Sequence, residues 1–295
     1  MALINSIAEY QEYFRAGQVL KRIDNASDIK SAAATMPEAL QRLFNKPEDF
    51  TLADISHEAI IEMIKSRILK REPDFVIDDC NRPVIDQIVK YLRRDADFLK
   101  TPGYSFEKGL LLRGGIGTGK TLLMLGLRSF LDEMRFFRLL APGEPSERYD
   151  LYEERGLRVT SLTGPAFLTT GEIVLSFNVD GFQIFTHVKE GRKTDTEAVT
   201  VGPLILDDLG TENLGLHFGS RTNVISELLM MRYERFVAFR RLTGSERREY
   251  QHPVTHGTSN LNHNELREFY GDRVYDRMRE LFNDIVCDGD SRRKS

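Results

Sequence analysis

Residues 114–121 read Gly-Gly-Ile-Gly-Thr-Gly-Lys-Thr. This spacing fits the phosphate-loop pattern G-x-x-x-x-G-K-[ST] at every fixed position. The chemistry it predicts is anion capture. Gly114, Gly115, Gly117 and Gly119 allow backbone conformations closed to other residues. Successive N–H groups from Gly114 through Ile116, Thr118 and Lys120 can therefore turn toward phosphate oxygens. The N-terminus of a following helix adds partial positive charge. Lys120 is expected to reach the β- and γ-phosphates of ATP, and the Thr121 hydroxyl to hold Mg²⁺. A glycine-rich loop could be a mere turn. Here an apolar run, Gly109–Arg113, precedes it and an apolar helical pattern follows it, the setting the motif requires.

A second set of residues lies in Pro203–Gly210, PLILDDLG. An apolar strand there delivers two acids at its C-terminal end. Asp207 is the expected Mg²⁺ ligand, directly or through water. Asp208 is the expected group that orients and deprotonates an attacking water. The alternative is that the two acids cap the next helix. A third set, Thr258-Ser259-Asn260, ends another apolar run. Asn260 could bond the attacking water or the γ-phosphate, but an Asn after a strand is also a common turn or cap residue.

These residues need a scaffold that converges strand ends. The sequence predicts strands at 109–113, 157–162, 203–207, 253–259 and 284–287. Helices are expected at 121–136, through the stretch up to 188, at 221–239, and as a pair over about 262–282. Strands separated by helices imply an α/β fold with a parallel sheet, right-handed crossovers and ligands at the strands' C-terminal ends. Placing strand 253–259 between the phosphate-loop strand and the Asp207 strand gives a five-stranded order 5-1-4-3-2, the P-loop NTPase arrangement of AAA+ and related ATPases. That order brings Thr258, Ser259 and Asn260 to the phosphates. Only a polar stretch follows the fifth strand, so no C-terminal helical lid is expected.

Residues 1 to about 100 read as helical and strand-poor. Ile55, Ile60, Ile64 and Ile68 fall near helical spacing, which predicts core packing for 53–70. Asn81-Arg82-Pro83 predicts a helix start, with Asn81 as cap and Pro83 in the first turn. Val84, Ile85, Ile88, Val89 and Leu92 form its apolar face. The 295 residues carry a formal net charge of −4, so any nucleic-acid contact must come from a local patch or an assembly. The two cysteines, Cys80 and Cys287, have no Cys-x-x-Cys spacing. A zinc site or disulfide framework is not expected, and a reducing cytoplasm fits. No apolar run approaches the roughly 20 residues a bilayer span needs, and no signal peptide is read at the start.

With these residues in place, the sequence resembles the DnaC/IstB-like family of AAA+ proteins, helicase loaders and transposition helper ATPases. The resemblance covers about residues 75–295, taken as the ATPase domain, with 1–74 as a helical region that could bind a partner. It rests on ILDDLGTE (205–212), THGTSNLNHNELREFYGDRVYDRMRE (255–280) and GDSRR (289–293). It implies ATP hydrolysis, action on DNA, a hexameric helicase or a transposase as partner, and a homo-oligomer. It implies an arginine-finger role in trans for Arg277, with Arg273 one turn before it, and a nucleotide-sensing role for Arg293, beside which Arg292 is an alternative. A surface ion pair of Arg277 with Asp272, Asp276 or Glu280 is the alternative to the finger.

The chain departs from the family pattern in three places. Asp208 stands where many AAA+ proteins have Glu. The region 137–156 is long and charged. Residues 1–74 match no known loader domain. Two basic clusters, Lys189, Arg192 and Lys193, and Arg240, Arg241, Arg247 and Arg248, are candidates for DNA contact or for solvated faces. The resulting expectation is a helicase loader. A transposition helper and a nucleotide-gated scaffold with little hydrolysis are the alternatives. A small-molecule kinase is disfavoured, because it needs neither the extra strand nor an edge arginine.

Overall fold

A computed structural model describes residue 52 and residues 55–139, 165–185, 202–243 and 253–292. Among the described residues two α-helices come first, α1 (His57–Leu69) and α2 (Arg82–Arg93). They are followed by β1 (Gly109–Arg113), α3 (Lys120–Leu139), β2 (Ala166–Thr169), α4 (Thr170–Asp180) and β3 (Leu204–Leu209). A hairpin of β4 (Gly215–His217) and β5 (Ser220–Thr222) leads to α5 (Val224–Arg241). β6 (Thr255–Ser259), α6 (His263–Leu281) and β7 (Phe282–Val286) follow.

Five strands form one parallel sheet in the order β2-β3-β6-β1-β7. Numbered without the hairpin and read from the β7 edge, this is 5-1-4-3-2. The fold is the α/β P-loop NTPase arrangement that the strand pattern predicts. β1 explains the layering. Its residues are buried throughout; Leu110 and Leu112 join one apolar cluster and Leu111 the other. A strand with covered faces on both sides reads as a continuous apolar run. The first cluster is built from α1, α2 and α3, and the second from α4, α5 and α6.

The stripe on α1 packs as expected: Ile60, Ile64 and Ile68 are fully buried or nearly so. α1 lies against α3 where the latter has Gly126. A Cβ there would come 2.6 Å from Ile68 Cγ1, so only glycine permits this approach. α2 starts at Arg82-Pro83 as expected, but Asn81 does not cap it. The Asn81 side chain instead accepts from the Asp78 amide and donates to the Val76 carbonyl. The turn before the helix consumes it, leaving nothing to offer the first helical amides.

Four elements differ from the sequence reading. The edge strand is Ala166–Thr169, within a stretch read as helical; residues 157–162, the expected strand, lie outside the described residues. Thr169 ends β2 and starts α4 through a reciprocal cap with Glu172, a T-x-x-E signal legible in the sequence. The hairpin has no counterpart among the expected elements. Its turn, Phe218-Gly219, has φ of 47° and 82°, the positive values a tight two-residue turn demands. Consequently α5 begins at Val224, capped by Asn223, rather than at 221. β3 runs on to Leu209 past a register shift between Leu206 and Leu209. The expected pair of helices over 262–282 is α6, broken at Gly271 (φ 78°, ψ 161°). No helix among the described residues is long and apolar enough to cross a membrane.

Candidate nucleotide site

The phosphate loop joins β1 to α3, so Lys120 and Thr121 occupy the first turn of α3. The Gly114 amide donates to the Ser259 carbonyl at 3.2 Å, which docks the loop's entry to the end of β6. Gly117 and Gly119 have φ of 82° and 91°, in the left-handed region where glycine carries no Cβ penalty. Ile116 projects into solvent. The buried Lys120 ammonium donates to the Gly114 carbonyl (2.9 Å), the Gly115 carbonyl (2.7 Å) and Thr118 Oγ1 (3.3 Å). Thr118 in turn donates to the Gly115 carbonyl. The cation is thus held within the loop's own hollow.

The acids arrive from β3. The Thr121 hydroxyl lies 3.0 and 3.1 Å from the two Asp207 carboxylate oxygens and donates to them. Asp207 is 3% exposed. Burial pushes its pKa up, opposed by hydrogen bonds from Thr258 and Thr121. A desolvated carboxylate beside a hydroxyl is an all-oxygen donor pair. That chemistry suits Mg²⁺, which takes one or two protein oxygens and keeps water and phosphate oxygens for the rest. No group of three His, Cys, Asp or Glu placed to hold a metal occurs among the described residues.

Asp208 follows in an unusual conformation. Its φ is 62°, rare for a residue with a Cβ, and it sits in the register shift of β3 against β6. Bulges of this kind re-aim side chains beside active sites. Three contacts fix the turn. The Asp208 amide donates to Thr258 Oγ1 at 2.9 Å. The Thr170 and Thr211 hydroxyls donate to its carbonyl at 3.1 and 2.8 Å. Thr258 also donates to Asp207 Oδ1 at 2.7 Å. One hydroxyl therefore braces both acids.

Asn260 Nδ2 lies 3.5 Å from Asp208 Oδ1. The cap of α6 is Asn262, paired reciprocally with Glu265, so capping is not what Asn260 does. Glu212 is buried and locked: Tyr270 donates to it at 2.6 Å, and it accepts from the Gly210 amide at 2.9 Å. Burial raises its pKa. Thr258, which the expected strand order brings to the phosphates, braces the two acids, and Glu212 and Tyr270 brace Gly210. The T-S-N run after an apolar strand was the available signal for Thr258. Nothing local marks Tyr270, which reaches Gly210 from 60 residues away.

The arginines divide. Arg113 makes a two-pronged pair with Asp284 at 3.0 and 2.9 Å and meets His263 at 3.0 Å, so it is tied to β7 and α6. Arg277 donates to Asp276 at 2.6 Å, lies 3.8 Å from Glu280 and stacks over the Tyr233 ring at 4.9 Å. Within one chain it therefore has the surface ion pair weighed as its alternative role. Arg273 is exposed. Arg293 lies outside the described residues, whereas Arg292 pairs with Asp78. Of the basic clusters, Arg240 pairs with Glu107 at 3.3 Å; Lys189, Arg192, Lys193, Arg247 and Arg248 lie outside the described residues.

No family profile and no curated protein matches the chain. Among solved structures it is similar to the DnaC helicase loader, at 18% identity over 74% of this chain and 95% of that one, with a TM-score of 0.40. It is also similar to DnaI, at 19% identity over 79% of this chain and 93% of that one, with a TM-score of 0.38.

Proposed function

We propose that this chain is an AAA+ ATPase that binds ATP with Mg²⁺, hydrolyses it, and loads or remodels a partner on DNA in the cytoplasm, as a helicase loader does. The observation that carries the ATPase reading is the convergence of Thr121, Asp207, Asp208 and Thr258 at the mouth of the phosphate loop. The sequence pattern of 205–212, 255–280 and 289–293 carries the loader reading, with 1–74 as the region that specifies a hexameric helicase.

Each residue's part follows from its chemistry. The amides of 114–121 and Lys120 hold the phosphates. Thr121 and Asp207 hold Mg²⁺, which when bound offsets charge on the phosphate oxygens. Asp208, turned out of the strand by its positive φ, orients the attacking water and takes its proton. Asn260 holds that water or the γ-phosphate from just past the end of β6.

Two variants test this. Lys120→Ala should abolish ATP binding in a folded protein, because a charge-assisted contact is lost. Asp208→Asn should keep ATP and lose turnover by roughly 10²–10⁴-fold. ATP affinity unchanged in Lys120→Ala would overturn the phosphate-loop reading. Equal turnover in Asp208→Asn and wild type would move the base elsewhere.

A further inference from the structure

We infer that Arg292 is a positioning residue: its ion pair with Asp78 straps the segment after β7 across the phosphate loop and presets one of the loop's phosphate-binding amides. The inference rests on the phosphate-loop reading above and adds a component that reading does not contain.

The strap is traceable contact by contact. It leaves β7 alongside the loop's entry, where the Cys287 amide donates to the Arg113 carbonyl at 2.6 Å. A Cβ on Gly114 would come 2.1 Å from the Cys287 carbonyl oxygen, so the two backbones touch. Gly289 then passes Cys80, with 3.3 Å between a Cβ built there and Cys80 Cβ. Ser291 fills the side of Gly117 where a Cβ would stand, 2.2 Å from Ser291 Oγ. Finally the Arg292 amide donates to the Gly117 carbonyl at 2.9 Å.

That last bond has a directional consequence. In a trans peptide the carbonyl and the next N–H point opposite ways. Holding the Gly117 carbonyl toward the strap turns the Thr118 N–H away from it, as a phosphate cradle needs. Gly117, at φ 82°, could otherwise adopt several conformations. The strap removes that freedom before nucleotide arrives, so less ordering is left to offset binding.

What holds the strap is the Arg292 side chain. Its two terminal nitrogens each lie 2.7 Å from a different oxygen of Asp78, the paired fork geometry that gives Arg–carboxylate contacts their strength. Asp78 is itself fixed, since its Oδ1 accepts the Cys80 and Asn81 amides at 3.0 and 3.1 Å. The Arg292 hydrogen bond holds the Asp78 carboxyl down to a pKa of about 2, so the pair is intact at neutral pH. Lysine at 292 would keep the charge without the fork.

The test measures release of a fluorescent ATP analogue from the full chain in stopped flow. Asp78→Asn keeps an acceptor for the two amides and removes the charge; Arg292→Gln removes the other partner. Each should speed release by roughly 3–10-fold, the scale of a well-formed, partly exposed pair. Arg292→Lys, which keeps the charge without the fork, should fall between Arg292→Gln and wild type. Unchanged release in both folded single variants overturns the strap. Faster release in Arg292→Gln with unchanged or slower release in Asp78→Asn also overturns it, because arginine would then be acting on the nucleotide directly. Lys120→Ala in the same assay separates the two claims: if it still binds, the phosphate-loop reading fails as well.

Discussion

At the residue scale the site depends on one hydroxyl more than its motif shows. Thr258 donates to Asp207 and accepts from the Asp208 amide, so it opposes the burial that raises the Asp207 pKa and steadies a left-handed Asp208. Thr258→Val keeps the shape and removes both bonds. Leaving a buried carboxylate short of a donor costs about 1–3 kcal/mol, and the Asp208 turn loses its brace. The expected outcome is weaker Mg²⁺ dependence of ATP binding and at least a roughly 10-fold drop in turnover, with Thr258→Ser retaining most activity; equal titrations of the three proteins would remove Thr258 from the site. That the loop and both acids come together was legible, because phosphate chemistry demands fixed residue types at fixed spacing. The conformation of Asp208 was not legible. It follows from the pairing of β3 with β6, strands about 50 residues apart in the chain, with Thr258 reaching the Asp208 amide across that distance.

At the element scale, β6 connects the sheet's two halves through more than its ladder. His256, 3% exposed, accepts the Leu110 amide of β1 on Nδ1 at 3.1 Å. Beside it in β6, Thr255 Oγ1 accepts from the fully buried Arg232 of α5, which also donates to the Gly202 and Val254 carbonyls. Burial, with Arg232 adding to it, depresses the His256 pKa from 6.5 to about 4. The imidazole is therefore neutral in the folded chain where it would be protonated unfolded. The stability this represents is complete above pH 6.5 and is lost as pH falls toward 4, because only the unfolded state binds the proton there. The loss should approach about 3 kcal/mol. Urea unfolding between pH 7 and 4.5 should show it, and His256→Gln should flatten the dependence; parallel curves would refute the assignment. Legibility at this scale followed length and periodicity. Helices with long apolar stripes and the strands β1, β3, β6 and β7 lie within a few residues of their expected bounds. The hairpin was missed because three-residue strands carry too little pattern. β2 was missed because Ala166–Thr169 is short and runs directly into α4, and an apolar run that short is ambiguous between strand and helix.

At the scale of the whole molecule, the question is what meets the charge that develops on a γ-phosphate. Lys120, Thr121, Asp207 and Asp208 are supplied within the chain, and Arg113 is committed to Asp284 and His263. Arg277 lies on α6, beyond β6 and the Asn260 that follows it, where it stacks on Tyr233 and pairs with Asp276. These contacts are exposed or partly exposed, and such pairs hold an arginine by only about 0–1 kcal/mol, so leaving them for a neighbour's phosphate is affordable. An arginine supplied in trans contributes about 10³–10⁵ in rate in related phosphoryl transfers. Subunits meeting head to tail would place one chain's α6 at the next chain's phosphate loop. Turnover per subunit should then rise with protein concentration. Arg277→Ala and Lys120→Ala, each inactive alone, should recover activity when mixed, since one binds ATP and the other offers the arginine. Tyr233→Ala, which frees Arg277 from its stacking partner, should leave that recovery intact. Turnover independent of concentration, together with an inactive mixture, would return Arg277 to the surface ion pair it makes within one chain.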